Sequence, residues 1–153
     1  MNPVSRVLDT PPAAPDVMAA AMAEKLALHT DASDLAVDLA AGVETLVVID
    51  TRSPSHYAAG HIPGAHSLPH VEMTPARLAT LATDRVYVCY CDGIGCNGST
   101  RGAFKLASAG LRVKELLGGL DFWQRDGHPV ATGEEPGALQ PDEIARCGCG
   151  VAP

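Results

Sequence analysis

One apolar run, followed by a loop rich in glycine and cysteine and then by a helical pattern, constrains the fold of this chain most. The run is Val86–Tyr90, and its β-branched and aromatic side chains between polar residues predict a buried strand. After the loop, the spacing of apolar residues predicts a helix over about 100–109, with Ser99 as its N-cap and Gly110 as its stop. The pattern therefore predicts a strand, a loop and a helix in direct succession.

The rest of the chain repeats this alternation of strands and helices. Leu46–Asp50 is a continuous apolar run that ends in an aspartate, which is typical of a central parallel strand covered on both faces. Further strands are expected over 25–29, 65–68 and 113–117, and further helices over 16–24, 31–42, 54–59, 75–81 and 120–125. The alternation predicts an α/β fold, a small parallel sheet with helices on both faces.

The segment over residues 91–101, here called the cysteine segment, places two thiols between a strand end and a helix start. These are Cys91 and Cys96. Unpaired backbone N–H groups and the helix dipole lower the pKa of a thiol at such a position and favour a bound anion. Arg101 falls in the first helical turn, where the helix dipole disfavours a cation. We therefore expect its side chain to pair with a bound anion. Ligands bind beyond the carboxyl ends of parallel strands. Asp50 and the cysteine segment both lie at such ends, so we expect them at the same edge of the sheet.

Length, charge and hydropathy narrow the class of protein. The chain has 153 residues, enough for one domain with a hydrophobic core. Its net charge of −7 and the lack of a basic cluster argue against a nucleic-acid partner. No apolar run approaches the roughly 20 residues of a membrane span, and prolines interrupt the region where a signal peptide would lie. We therefore expect a cytoplasmic protein with no membrane partner.

Cysteine and histidine usage and the composition of the two ends give further expectations. The five cysteines are expected to be reduced, reactive or metal-bound rather than to form a disulfide framework. The six histidines show no metal-ligand spacing, so neither a metal nor another cofactor is predicted. Composition divides the chain into a loosely ordered lead-in (1–15), a domain (16–130) and a flexible tail (131–153). Cys147 and Cys149 could bind a soft metal or accept sulfur, although a plain tail is favoured.

Three segments resemble the single-domain rhodaneses, over roughly residues 46–125. They are Val48-Ile49-Asp50-Thr51-Arg52 with Tyr57 to Ala65, the cysteine segment, and Leu116 to Trp123. The resemblance implies a small parallel sheet flanked by helices, in agreement with the pattern above. It also implies sulfur transfer, in which a thiolate attacks the outer sulfur of a donor such as thiosulfate and a cysteine persulfide forms. A thiol or cyanide would then remove that sulfur, and a protein acceptor is left open.

The resemblance also implies roles for the residues of the site. Main-chain N–H groups of the loop would stabilise the thiolate and the persulfide. The substrate-binding residues would be Asn97, Gly98, Ser99, Thr100 and Arg101, with Asp50 and Arg52 as structural support. No proton-transfer role is assigned to His61, and Cys89 is expected to be a small core residue.

Either cysteine of the segment could be the nucleophile. Cys91 directly follows the strand, as in the family, but its loop is a few residues too long. Cys96 opens a loop of the family's length that ends in Arg101, but four residues separate it from the strand. We slightly favour Cys91, because strand ends are the more rigid anchor for a site. A cooperating pair, in which one thiol attacks and the other resolves, is a further alternative.

Two other functions compete with sulfur transfer. A phosphatase or arsenate reductase relative would need an arginine six positions after the cysteine. Those positions hold Asn97 after Cys91 and Gly102 after Cys96, which disfavours this class. A non-catalytic rhodanese-fold binding module or a persulfide carrier is the other alternative. The two cysteines and Arg101 argue against the binding module, since a site without chemistry could lose any of them.

Overall fold

The computed structural model describes residues 4–144, which form a five-stranded parallel sheet with helices on both faces. The strands are β1 (His29–Thr30), β2 (Leu46–Asp50), β3 (His66–Ser67), β4 (Val86–Tyr90) and β5 (Arg112–Leu116). The helices are α1 (Pro15–Leu28), α2 (Ala32–Ala40), α3 (Pro54–Ala59), α4 (Pro75–Leu78), α5 (Gly98–Ser108) and α6 (Gly119–Arg125), with short 3-10 turns at Val7–Asp9, His70–Glu72 and Pro141–Glu143. This architecture confirms the predicted α/β fold.

The strand that precedes the cysteine segment is the central one. The strand order is β1-β5-β4-β2-β3, and each neighbouring pair is parallel. The register pairs Asp50 at the end of β2 with Tyr90 at the end of β4. The two carboxyl ends are therefore level, and the residues that follow them form one rim of the sheet.

Side chains of β4 alternate between two hydrophobic clusters, because successive residues of a strand point to opposite faces. Val88 and Tyr90 pack with α2 and α6 on one face. Tyr87 and Cys89 pack with α4 and α5 on the other face. Burial of β4 on both faces is what the continuous apolar run predicted. It gives the residue after Tyr90 a rigid anchor.

Two local predictions are wrong. Residues 25–28 were expected to be extended, but they complete α1, and only His29–Thr30 are in a strand. The straight-chain residues Lys25, Leu26 and Leu28 favour a helix, and only a short edge strand remains to pair with β5. The predicted N-cap Ser99 lies inside α5, which begins at Gly98. Its hydroxyl donates instead to the carboxylate of Glu115 on β5, at 2.7 Å.

The first part of the segment expected to be a tail contacts the domain. His61 and Ala131 form an antiparallel bridge, with both N–H···O distances at 2.9 Å. Leu139 is buried in the hydrophobic cluster under α2 and α6, and Ile144 packs against it. The buried ring of His61 stacks on Tyr57, and its Nδ1 lies 2.8 Å from the Tyr57 carbonyl oxygen, so it supports the fold. Cys147 and Cys149 lie outside the described residues.

The remaining parts of the described chain add little to the site. Residues 4–14 are exposed throughout and include only one short 3-10 turn. Within residues 4–144, none of the helices has both the length and the apolar character required to cross a membrane. The expected cytoplasmic location stays a prediction.

Candidate active site

Cys91 is held by main-chain contacts on the side of α6. Its carbonyl oxygen accepts a hydrogen bond from Leu120 N–H at 2.9 Å, and the carbonyl of Asp92 accepts one from Asp121 N–H at 2.7 Å. Gly119 has φ +57°, and a Cβ there would lie 2.3 Å from the Cys91 carbonyl oxygen. Only glycine lets α6 begin this close to the end of β4. Cys91 is therefore fixed both by the central strand and by the start of a helix.

A disulfide joins Cys91 to Cys96, with a Cα–Cα distance of 6.2 Å. The chain between them turns back on itself, and Cys96 N–H donates to the Gly93 carbonyl at 3.1 Å. The five cysteines were expected to be reduced, reactive or metal-bound rather than disulfide-bonded, and for this pair the structure shows a disulfide instead. The turn brings the two Cα atoms within the usual range for a disulfide, which spacing along the chain alone does not reveal.

Cys89 lies two residues before Cys91 and takes no part in the disulfide. It is fully buried and carries a free thiol. Burial, with a smaller contribution from the charge of Glu115, raises the pKa of Cys89 to about 12. A thiol with such a pKa is not a nucleophile near neutral pH, so Cys89 is a core residue as predicted.

The first residue of α5 lies against the sulfur atoms of the pair. A Cβ on Gly98 would lie 3.1 Å from Cys91 Sγ, so the glycine backbone fits closely against that atom. Gly98 N–H donates to Cys96 Sγ at 3.5 Å. Asn97 occupies the N-cap position without capping the helix by its side chain. The first N–H groups of a helix have no partner within it and carry partial positive charge, so this position favours a thiolate or a persulfide anion.

Arg52 and Asp50 connect the end of β2 to the start of the cysteine segment. The guanidinium bonds both carboxylate oxygens of Asp50, with its shortest contact at 2.6 Å, and donates to Asp92 Oδ1 at 2.9 Å. It also donates to the Gly60 carbonyl at 2.6 Å. Asp50 accepts a further bond from the Tyr90 hydroxyl at 2.7 Å. These contacts fit the structural support that was predicted for Asp50 and Arg52, a role that awaits mutational test.

Burial and charge act in opposite directions on Arg52. Burial alone lowers the pKa of the guanidinium, but the hydrogen bond and charge of Asp50, together with the bond to Asp92, raise it above its ordinary value. Burial, followed by the charge of Asp50, also raises the pKa of Tyr90. Both groups therefore keep their protons, and Asp50 is surrounded by donors.

An open cleft of about 370 Å³ lies over the disulfide at this rim. Five of the predicted site residues line it, namely Arg52, Cys91, Cys96, Asn97 and Gly98. The other predicted substrate-binding side chains point elsewhere. The hydroxyls of Ser99 and Thr100 donate to Glu115 Oε1 at 2.7 and 2.8 Å. Arg101 is exposed and donates to Asn97 Oδ1 at 3.3 Å.

Sequence reasoning missed two histidines of the cleft. His56 lies on α3, and its Nδ1 is 2.6 Å from Ser53 Oγ. His70 follows β3, and its main-chain N–H donates to the Thr51 carbonyl oxygen. Both come soon after strands whose carboxyl ends form this rim, which is the signal that could have found them. Across residues 4–144, no group of three or more histidine, cysteine or carboxylate side chains is arranged to hold a metal ion.

The arrangement can carry out thiol chemistry on an anion. Reduction of the disulfide would release two thiols at the start of a helix, on the floor of an open cleft. Thiolate, not thiol, is the nucleophile, and the position at the helix start favours it.

Known proteins resemble this chain in sequence, and a solved structure resembles it in fold. The HTH-type transcriptional regulator Rv0324 of Mycobacterium tuberculosis is 41% identical over 97 residues, which are 63% of this chain and 42% of the regulator. A sulfurtransferase of Allochromatium vinosum is 33% identical over 94 residues, 61% of this chain and 86% of that protein. The crystal structure of the BH2092 protein from Bacillus halodurans has a TM-score of 0.75 and 35% identity, covering 79% of this chain and 88% of that one.

The match extends over the site and most of the fold. This chain spans less than half the length of the regulator but most of the length of the sulfurtransferase. The family model of the rhodanese-like domain matches residues 31–126, from the start of α2 to the end of α6 and including the whole cysteine segment. The chain belongs to the rhodanese-like domain family.

Proposed function

We propose that this protein is a sulfurtransferase that moves sulfane sulfur from a donor such as thiosulfate to a thiol acceptor through a persulfide on Cys91. The observation that carries the proposal is the position of Cys91. It directly follows the central strand, lines the cleft, and has its Sγ against the first residue of α5. The sulfurtransferase name of a relative that is 33% identical over 94 residues gives separate support.

The first step forms a sulfur–sulfur bond on reduced Cys91. The thiolate attacks the outer sulfur of thiosulfate, the bond between the two sulfur atoms of the donor breaks, and sulfite leaves with the electron pair. The persulfide anion that remains would be stabilised by N–H groups at the start of α5. Asn97 and Gly98 line the cleft, and the main-chain N–H groups of Ser99 and Thr100 lie in the first turn of α5, whereas the Arg101 N–H is bonded to the Asn97 carbonyl oxygen at 2.9 Å.

The second step returns the enzyme to its starting state. An acceptor thiolate, or cyanide in an assay, attacks the outer sulfur of the persulfide and Cys91 leaves as a thiolate. Neither step needs a metal or another cofactor. A protein could deliver the acceptor thiol, since the cleft is open to solvent on one side.

A sulfur-transfer assay with reduced protein tests the proposal. The variant that carries both Cys91→Ser and Cys96→Ser should lose thiosulfate-dependent transfer to cyanide. The matched control is Cys89→Ala, which removes a nearby buried thiol that is neither part of the disulfide nor of the cleft lining, and it should keep the activity. Full activity in the double variant, or loss in the control with its fold intact, would reject the proposal. The two single variants then identify the attacking thiol.

A further inference from the structure

We propose that Cys96 resolves the persulfide on Cys91 and releases sulfide, so that the domain is a reductase for sulfane sulfur as well as a transferase. This inference rests on the proposed function, because it needs the persulfide to form. It goes beyond sulfur transfer, since the sulfur leaves as sulfide without any external acceptor.

The bond between the two cysteines is the first observation. Cys91 and Cys96 are joined, and both line the same cleft. A cysteine whose sulfur can bond to Cys91 Sγ can also attack that atom when it carries a second sulfur. The attack on the inner sulfur of a persulfide forms the same disulfide that the structure contains.

The two cysteines differ in how firmly the surrounding structure holds them, and the resolving step requires such a difference. Cys91 is buried and held by β4 and by the start of α6. Cys96 is half-buried and comes after Ile94, whose side chain is 77% exposed, and after Gly95, which has open space around it. The attacking residue would therefore be fixed, and the resolving residue lies on an exposed turn that few contacts hold.

The position at the start of α5 serves both sulfur atoms. Gly98 fits against Cys91 Sγ, and its N–H points at Cys96 Sγ. The partial positive charge there lowers the pKa of a nearby thiol. After reduction, that charge would favour a thiolate on Cys96.

The step is balanced in atoms and electrons. The thiolate of Cys96 attacks Cys91 Sγ, the bond between Cys91 Sγ and the outer sulfur breaks, and that sulfur leaves as hydrosulfide with the electron pair. The two cysteine sulfurs lose two electrons in total, and the sulfane sulfur gains them. A dithiol reductant then reduces the disulfide by thiol–disulfide exchange, which starts the next cycle.

A single-turnover experiment tests this step on the full chain. The protein is reduced, freed of reductant without oxygen, and mixed with excess thiosulfate in the absence of any acceptor thiol. Sulfite, sulfide and the intact mass are then measured. The wild type should release one sulfite and one sulfide per chain and end about 2 Da lighter than the reduced protein, as expected for a disulfide.

The variant Cys96→Ser separates the two steps. It should release sulfite but no sulfide, and it should gain about 32 Da, the mass of one retained sulfur. Cys89→Ala is the matched control and should behave as the wild type does. The rate constant of sulfide release should not depend on protein concentration, because both thiols belong to one chain.

The outcomes distinguish this inference from the proposed function. A wild type that keeps a persulfide and releases no sulfide overturns the resolving role of Cys96 but leaves sulfur transfer intact. Sulfide release by Cys96→Ser at the wild-type rate also overturns it. If neither protein releases sulfite, the persulfide never forms, and the proposed function itself has failed. The stoichiometry of the wild type decides the matter even if the variant does not fold.

Discussion

Replacing Arg52 by methionine should destabilise the protein strongly, because it leaves a buried carboxylate without its cation. Asp50 is fully buried, and the Arg52 side chain is only 7% exposed. Methionine has a similar length but can replace none of the bonds to Asp50, Asp92 and the Gly60 carbonyl. The loss should therefore reach both the stability of the fold and the placement of the cysteine segment.

The size of the loss in stability depends on the hydrogen bonds that Asp50 retains in the Arg52→Met variant. Breaking a buried ion pair by removing one partner costs about 3–5 kcal/mol. Asp50 would still accept bonds from the Tyr90 hydroxyl at 2.7 Å and from the main-chain N–H of residue 52 at 2.9 Å. We therefore expect the lower end, about 3 kcal/mol, which for a chain of this size lowers Tm by roughly 6–12 °C.

Urea unfolding followed by tryptophan fluorescence measures this cost. The chain has one tryptophan, Trp123, which is fully buried and donates to the Pro129 carbonyl at 2.8 Å. The matched control is Arg77→Met, which breaks an ion pair with Glu72 of similar length, 2.7 Å, whose side chains are 48% and 46% exposed. That control should cost no more than about 1 kcal/mol.

A double-variant cycle separates the buried charge from lost packing. Asp50→Asn combined with Arg52→Met removes both charges, so it should be less destabilised than the sum of the two single variants by at least about 1 kcal/mol. Strict additivity would refute the ion-pair explanation. So would a cost for Arg52→Met that matches the cost of the exposed control.

Three further outcomes are expected. After reduction, alkylation with iodoacetamide at pH 8 should leave Cys89 unmodified until the protein is unfolded, since its pKa is raised to about 12; peptide mapping that finds it modified in the folded state would contradict its burial. Gly119→Ala should lower the free energy of unfolding by at least about 1 kcal/mol more than Gly110→Ala does. Both glycines have positive φ, but only at Gly119 would a Cβ lie against another residue's backbone. Arg101→Ala should change the KM for thiosulfate by less than about fivefold, because its guanidinium lies outside the cleft, and a larger rise would indicate direct contact with the anion.

The central part of the fold could be predicted because its signals are local. Leu46–Asp50 and Val86–Tyr90 are strands with the predicted bounds, since continuous apolar runs are buried on both faces only in a central position. The helix predicted over 54–59 spans Pro54–Ala59, with Pro54 at its first position and Ser53 Oγ accepting the His56 main-chain N–H. These features depend on neighbours within a few residues.

The features that could not be predicted depend on contacts between distant residues. Residues 131–144 lack periodicity, but Ala131 pairs with His61 and Leu139 enters the core. Ser99 is a good N-cap by type, but the sheet register brings Glu115 of β5 close enough to bind its hydroxyl instead. No pattern within the local sequence carries either contact.

The sequence indicated several residues that line the cleft, but it did not indicate how they are arranged there. Both cysteines line the cleft and are bonded to each other, so the structure brings together the two candidates that the sequence left open. The disulfide depends on a turn closed by Gly93, and the spacing of the cysteines did not reveal it. His56 and His70 were not predicted to lie at the cleft. They follow two different strands, β2 and β3, and are distant in sequence from the cysteine segment.

Mapping the sulfur in the Cys96→Ser variant tests the central claim most directly. The reduced variant is incubated with thiosulfate, and its intact mass and peptides are measured. The account predicts a gain of about 32 Da on the peptide that contains Cys91. A variant that releases no sulfite and gains no mass, or one that carries the sulfur on Cys89, would contradict it.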